Sequence, residues 1–471
     1  MRGLLATIVV ASTGTSCHFR VPARVVLPPL EDQGEVYVYL EAPPDEARQV
    51  SFTVASLAAV GDDGLGVPLM IASSEISWVK ERPQRLLAFG RLPVGLYTGL
   101  AAKFAKATLT RAGGAADLLV PEAPVTIPLT FRAERARSDL ISVSLARAVA
   151  SDHELAFAPV FAAFEPRLAG RLTAVNGYCT SDTLASLSVF DKHRHEVVGV
   201  IPTGREPQGL AIDANERRLY VALPGQDQVQ VFDLSTGEEL RRVSLQPGDR
   251  PGELALTPDG RLLITANRGS NTATFIDPFS GLTLDQVPTG DEPASLLMDR
   301  GARRAYVFNR RSSDITVLDL ATRQVVATVR TDAEPLRGQL NRAGTRLYVI
   351  HRGSQYLAVY AVPELTPVTR LYVGLGASAL KVDPKSDLLY VGRADEDRVQ
   401  AYDPYSFVPI DSIEVPGPVS YLTIDDVENA LVSVIPSRRT VAFTDLTSRR
   451  LLSEVELAAE PFHVVLEAER Y

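Results

Sequence analysis

Arginine and histidine are the residues of this chain whose spacing could do chemistry. Arg268, Arg310, Arg352 and Arg393 each follow a short apolar run, at steps of 42, 42 and 41 residues. Arg337 lies in a segment between them. Guanidinium groups that converge on one funnel offer planar, bidentate donors to a carboxylate or a phosphate. His351 and His463, with Arg337, are the least unsuitable candidates for acid–base chemistry on a small molecule. A plainer reading stands beside both. These are solvated loop arginines, partnered by carboxylates such as Asp291, Glu292, Asp332 and Glu334. The plainer reading is the more economical, because a repeat by itself puts similar residues at similar places.

Other chemistries are weak. Asp191, Asp233, Asp277, Asp319, Asp403 and Asp445 recur ahead of turn sequences such as Asp233-Leu234-Ser235-Thr236-Gly237. Aspartate there accepts hydrogen bonds from turn amides, so hairpin capping is expected rather than metal binding. His193-x-His195 lacks accompanying ligands at metal spacing, and no metal site is expected. Cys179, placed in a loop over residues 177–183, reads as an inert small residue. The chain has no Cys-x-x-Cys-His, no Gly-x-Ser-x-Gly and no glycine-rich phosphate loop, and its one tryptophan, Trp78, lies outside the repeats. No cofactor is expected.

The elements that must position these residues show themselves by period. Thr203-Gly204-Arg205-Glu206-Pro207, Gly248-Asp249-Arg250-Pro251 and Thr289-Gly290-Asp291-Glu292-Pro293 are copies of one loop. Its first position recurs at 204, 248, 290, 332, 374, 416 and 458, a step of 44 followed by five steps of 42. Aromatic and aliphatic columns keep the same step, as in Leu219-Tyr220-Val221 and Leu347-Tyr348-Val349. Each unit reads as four short alternating strands, the size of a propeller blade. Six units are complete. Three strands precede them, near residues 172–176, 187–191 and 197–202, and one follows at 461–467. Combining these into a seventh blade closes the ring and leaves no open sheet edge. The residues just after the loop, Gln208, Glu253, Ser295, Arg337, Ser378, Tyr421 and His463, are expected to line the channel face.

These units resemble the YVTN-repeat (YncE-like) β-propeller family over residues 171–471. The tetrad is matched loosely at Thr173-Ala174-Val175-Asn176, Tyr306-Val307-Phe308-Asn309 and Tyr348-Val349-Ile350-His351. An Asn column reads Asn176, Asn267 and Asn309, and departs to Leu223, His351, Arg393 and Ile435. The resemblance implies a fold and carries no particular activity with it.

Residues 34–165 lack the period. Candidate strands at 36–40, 50–60, 85–89, 99–110, 125–131, 140–145 and 155–164 suggest a β-sandwich-like domain. Within it, residues 92–100 (LPVGLYTGL) resemble a segment of a domain of unknown function from bacterial surface lipoproteins. Residues 165–170 read as a linker. At the start, Arg2, the apolar run 4–11 and Cys17 describe a signal peptide over 1–17 whose cysteine would carry a lipid. The apolar run is too short to span a bilayer. The expectation is an exported, membrane-anchored lipoprotein of the cell envelope.

The formal net charge is −9, which argues against a nucleic-acid partner. Taken together, the sequence describes an all-β chain with a seven-bladed propeller closed by its C-terminal strand. It reads as a monomeric binding module for a protein or a small anionic ligand. The alternatives are a lactonase-type or lyase-type propeller enzyme and a structural envelope component.

Overall fold

The computed structural model describes residues 28–45, 47–78, 81–149, 155–166 and 175–467. The signal segment with Cys17, and also His18, His153 and residues 167–174, lie outside the described residues. Among the described residues every regular element is a strand, apart from two single 3-10 turns.

Over its described residues the N-terminal domain is one ten-stranded sheet rather than two stacked ones. Its long strands, Val50–Gly61 and Gly95–Arg111, carry β-bulges where they pair, and bulges bend and twist a ribbon. The sheet coils until its two ends meet at the Leu119–Ala156 bridge, so its halves face each other as in a sandwich. Phe52, Phe104, Phe157 and Phe161 fill the interior, with ring centroids 5.0 to 6.5 Å apart. Each such pair adds about 0.5–1.5 kcal/mol beyond area burial. The LPVGLYTGL segment has a local structural task. Pro93-Val94-Gly95 makes the turn, and the Tyr97 hydroxyl donates to the Pro93 carbonyl at 3.0 Å while its ring stacks on Phe131. Three short strands escaped the sequence reading: Gly66–Ile71, Glu75–Ile76 and Gly114–Leu118.

Strand Gly34–Glu41 (GEVYVYLE) explains how the two domains join. Its period of two points Val36, Val38 and Leu40 into the domain core and Tyr37 and Tyr39 the other way. Those tyrosines pack with Leu86 and Phe89 against Val197, Val455 and Leu457 of the propeller. Both faces are therefore buried. Glu454 and Glu456, on an outermost strand of the propeller, are also buried there. Arg85 Nε meets Glu456 Oε2 at 2.7 Å, and Arg82 Nη2 meets Glu454 Oε2 at 3.0 Å. Arg438 and Arg439 approach the same two carboxylates from the propeller side. The Gln84 amide bonds the backbone of Val197 in both directions.

The propeller has seven four-stranded sheets. Numbered from Leu210, blades 1 to 6 follow in order. Blade 7 combines Asn176–Thr180, Ser186–Asp191 and Glu196–Pro202 with the C-terminal strand His463–Leu466, which pairs antiparallel to Asn176–Thr180. The second and third strands of the blades are apolar and largely buried, because neighbouring sheets cover both faces. A buried ionic latch holds the closure. Lys192 Nζ lies 2.9 Å from Asp425 Oδ2 and donates to the Glu467 carbonyl at 3.1 Å. The Glu467 carboxylate accepts from the amides of Val175 and Asn176 and from the Tyr178 hydroxyl.

Blade 7 corrects the sequence reading in one respect. Its second strand runs four residues later than expected, at Asn176–Thr180. Asn176 pairs with Asp191 just as Arg218 pairs with Asp233 in blade 1. It therefore sits at the end of its strand opposite to Asn267 and Asn309 and does not belong to their column. Cys179 lies in this strand, buried, rather than in a loop.

Candidate functional site

In blades 2 to 5 the innermost strand begins with a proline or alanine, skips one residue in a bulge, and then presents a side chain at the channel. By register that position is Glu253, Ser295, Arg337, Ala379, Tyr421 and His463 in blades 2 to 7. In blade 1 it is Gly209. Gln208 and Ser378, expected in this column, stand one residue earlier. Ser378 Oγ instead ties blade 5 to the Val419 carbonyl of blade 6 at 2.5 Å.

Large and small residues alternate around part of this ring, and the large ones reach across. Arg337 of blade 4 places Nη2 3.7 Å from Glu253 Oε1 of blade 2. Its guanidinium carbon lies 4.3 Å from the centre of the Tyr421 ring of blade 6. Ser295 and Ala379, on the blades between, leave room for both contacts. Glu253 also accepts the Leu296 amide at 3.1 Å. The Tyr421 ring meets the His463 ring edge-on at 4.5 Å between centroids. His463 Nδ1 accepts the Leu210 amide of blade 1 at 3.2 Å. Burial, helped by the positive charges of Arg337 and Lys381, pushes His463 down to about 3. The ring is neutral at physiological pH. With Nδ1 already accepting, its proton is on Nε2, so that atom is a donor and not a base.

The expected arginines fall into different settings. Arg310 pairs with Glu292, and Arg393 with Asp395 and Glu396 at 3.0 and 2.8 Å. These conform to the plainer reading. Arg352 is exposed at the loop tip. Arg268 differs from all of them. Its Nη2 bonds the side-chain oxygen of Gln208, a neutral amide, over the top of the innermost strand of blade 2 beside Gly252. Burial, then repulsion from Arg310 and Arg250, lowers its pKa, while Glu292 and Asp182 offset part of this. Arg310 and Arg250 stand near it but each faces a carboxylate of its own, Glu292 and Glu206.

His351 does not join His463. It ends the second strand of blade 4 at the position held by Asn267 and Asn309 in blades 2 and 3. The asparagines each donate to two side chains of the neighbouring strand. His351 does the equivalent with Thr331 Oγ1 at 2.7 Å and the Tyr356 carbonyl at 3.3 Å. Burial pushes it down to about 4. It is a strand-end tie that a period-based reading could not separate from a channel residue.

The remaining residues are structural. Asp233 accepts the amides of Ser235 and Thr236, and Asp403, Asp445 and Asp277 make the same turn. His193 pairs with Glu428 at 2.5 Å, and His195 packs on Phe443. Burial pushes the Cys179 thiol up, far from reactivity at neutral pH. Among the described residues no three of His, Cys, Asp and Glu gather as a metal site.

A family model described as "Lactonase, 7-bladed beta-propeller" matches residues 196–278, blade 1 and its surroundings. No curated protein matches. Among solved structures the chain is similar to a functionally unknown protein from Desulfotomaculum acetoxidans DSM 771. The identity is 11%, with 62% of this chain and 98% of that chain covered and a TM-score of 0.55. That likeness is one of fold. The chain is also similar to Kuenenia stuttgartiensis hydrazine synthase, with 15% identity, 60% and 93% of the two chains covered and a TM-score of 0.49.

Proposed function

We propose that this chain is a binding module of the YVTN-repeat kind, exported and anchored through a lipid on Cys17, that captures a small anion at the loop-rich face of its propeller. The observation that carries this reading is Arg268. A half-buried guanidinium bonded to a neutral amide gains from an arriving carboxylate or phosphate. Arg310 and Arg393 already hold carboxylates and gain less. The charged start and the apolar run before Cys17 support export. The N-terminal domain, fixed to blades 6 and 7, acts as the spacer between anchor and propeller.

The test is calorimetric titration with inorganic phosphate and with succinate. At least one should bind the intact protein. Arg268→Ala should weaken that binding at least tenfold and Arg393→Ala should leave it unchanged. Absence of binding by either probe, or indifference to Arg268→Ala, would overturn the reading.

A second reading, a lactonase-type enzyme, is favoured by the family match over residues 196–278. Its difficulty is chemical. His463 is a donor, Arg337 is occupied by Glu253, and Glu253 is tied to Leu296, so none of these three is a free base. His463 could still stabilise a developing oxyanion. Lactone hydrolysis lost on His463→Phe would establish that activity over simple binding.

A further inference from the structure

The one break in the 42-residue step builds a cleft that the channel does not use. Blades 2 and 3 are joined from Thr289 to Pro293, and blades 1 and 2 from Leu245 to Pro251. The flanking bonds are equivalent: the Leu245 amide reaches the Asp227 carbonyl as that of Thr289 reaches Asn271. Pro251 then pairs with Asn267 as Pro293 does with Asn309. The blade 1–2 connection therefore holds two extra residues. They are spent on a turn, Gln246-Pro247-Gly248-Asp249. Proline presets its second position, and Gly248 takes φ +88° at the third. The turn closes with the Asp249 amide donating to the Gln246 carbonyl at 3.1 Å.

This turn drops the Asp249 side chain inward. Asp249 and Thr274, each 1% exposed, form the floor of a cleft of about 100 Å³. Ser244, Gln246, Thr283 and Gln286 form its exposed rim. The Asp249 carboxylate accepts two neutral donors, the Gln246 amide and Gln286 Nε2, both at 2.9 Å. A carboxylate has about four acceptor positions, so about two remain.

The lining selects by chemistry. A buried carboxylate without a lining Arg, Lys or His repels anions. One carboxylate, unaccompanied by a second or by His or Cys, is a poor metal site. Hydroxyls and primary amides both donate and accept, which matches a neutral molecule carrying adjacent hydroxyls. The volume suits one, since a single water needs roughly 10–15 Å³. We infer that this cleft is a binding site for a small neutral polyol, with Asp249 accepting from vicinal hydroxyls and Gln286 and Thr283 contacting the outer edge. The site is distinct from the anion position and stands whether or not that reading holds.

Saturation-transfer NMR and calorimetry on the full chain, with ribose and glycerol as probes, test it. One of them should bind saturably in the millimolar range. Asp249→Leu should abolish binding, and the rim substitutions Gln286→Leu and Thr283→Val, which leave the blade core untouched, should weaken it several-fold. Arg268→Ala should change nothing. The inference fails if neither polyol binds at tens of millimolar, if binding persists in both rim variants, or if methylammonium binds in place of the polyols.

Discussion

The guanidinium carbon of Arg337 stands 4.3 Å from the centre of the Tyr421 ring, although the innermost strands bearing them are two blades apart. The contact crosses the channel, and its other side is the Glu253 carboxylate. A cation held over an aromatic face away from bulk water is worth up to about 2 kcal/mol. A double-mutant cycle with Arg337→Met and Tyr421→Leu, read from urea midpoints, should return a coupling of about 1 kcal/mol. Independent effects of the two changes would mean that the crossing contact contributes nothing.

His351 makes stability depend on pH. Burial disfavours its imidazolium in the fold, whereas the unfolded chain takes a proton near pH 6.5. Stability from this group is whole above about pH 6.5 and is lost as pH falls toward about 4. At pH 5 the loss is about 2 kcal/mol. Asparagine serves the same position in blades 2 and 3. His351→Asn should therefore be near neutral at pH 7.5 and more stable than the parent at pH 5. Chemical denaturation at the two pH values measures this, and an equal difference at both would contradict it.

The ring latch should be costly to break on one side only. Lys192→Met leaves Asp425 buried without its cation, a change that costs about 3–5 kcal/mol. Replacing both, as Lys192→Met with Asp425→Asn, keeps the turn bonds that Asp425 makes to Val427 and Glu428 and removes the stranded charge. The double variant should melt higher than the single one. The reverse order in a calorimeter would show that the pair does not hold the closure.

The domain interface offers a fourth measurement. Glu454 and Glu456 face Arg82 and Arg85 in a buried setting that salt screens poorly. Glu454→Gln with Glu456→Gln leaves those arginines without carboxylates. The N-terminal domain should then melt apart from the propeller, giving two calorimetric transitions where the parent gives one. A single transition in the variant would assign the coupling to Tyr37 and Tyr39 instead.

The period made the propeller legible. Columns such as Tyr220, Tyr306 and Tyr348 recur because each blade buries the same face against the next, and the missing strand at one end matched the spare strand at the other. Blade 7 was misread where that logic lapses. No repeat loop precedes Asn176 to anchor its register, so an accidental Asn there resembles a member of the Asn267 and Asn309 column. The settings of the arginines were invisible for a related reason. Arg268 and Arg310 share a repeat position, with Arg393 one position earlier in its unit, but the three differ in their partners, which are Gln208, Glu292, and Asp395 with Glu396. Contacts across the channel and between domains have no period at all. Arg337 with Tyr421 and Arg85 with Glu456 are pairs of residues far apart in sequence, and only the folded chain brings them together.

The pairing of His463–Leu466 with Asn176–Thr180 sets an order on biosynthesis. The earliest part of the propeller to leave the ribosome keeps an unfilled strand slot until the last part arrives. Throughout that interval the inner edge of Asn176–Thr180 is exposed as a template for foreign strands. A nascent or truncated chain lacking the final segment is therefore the species most exposed to chaperones, proteases and self-association, however sound its other blades.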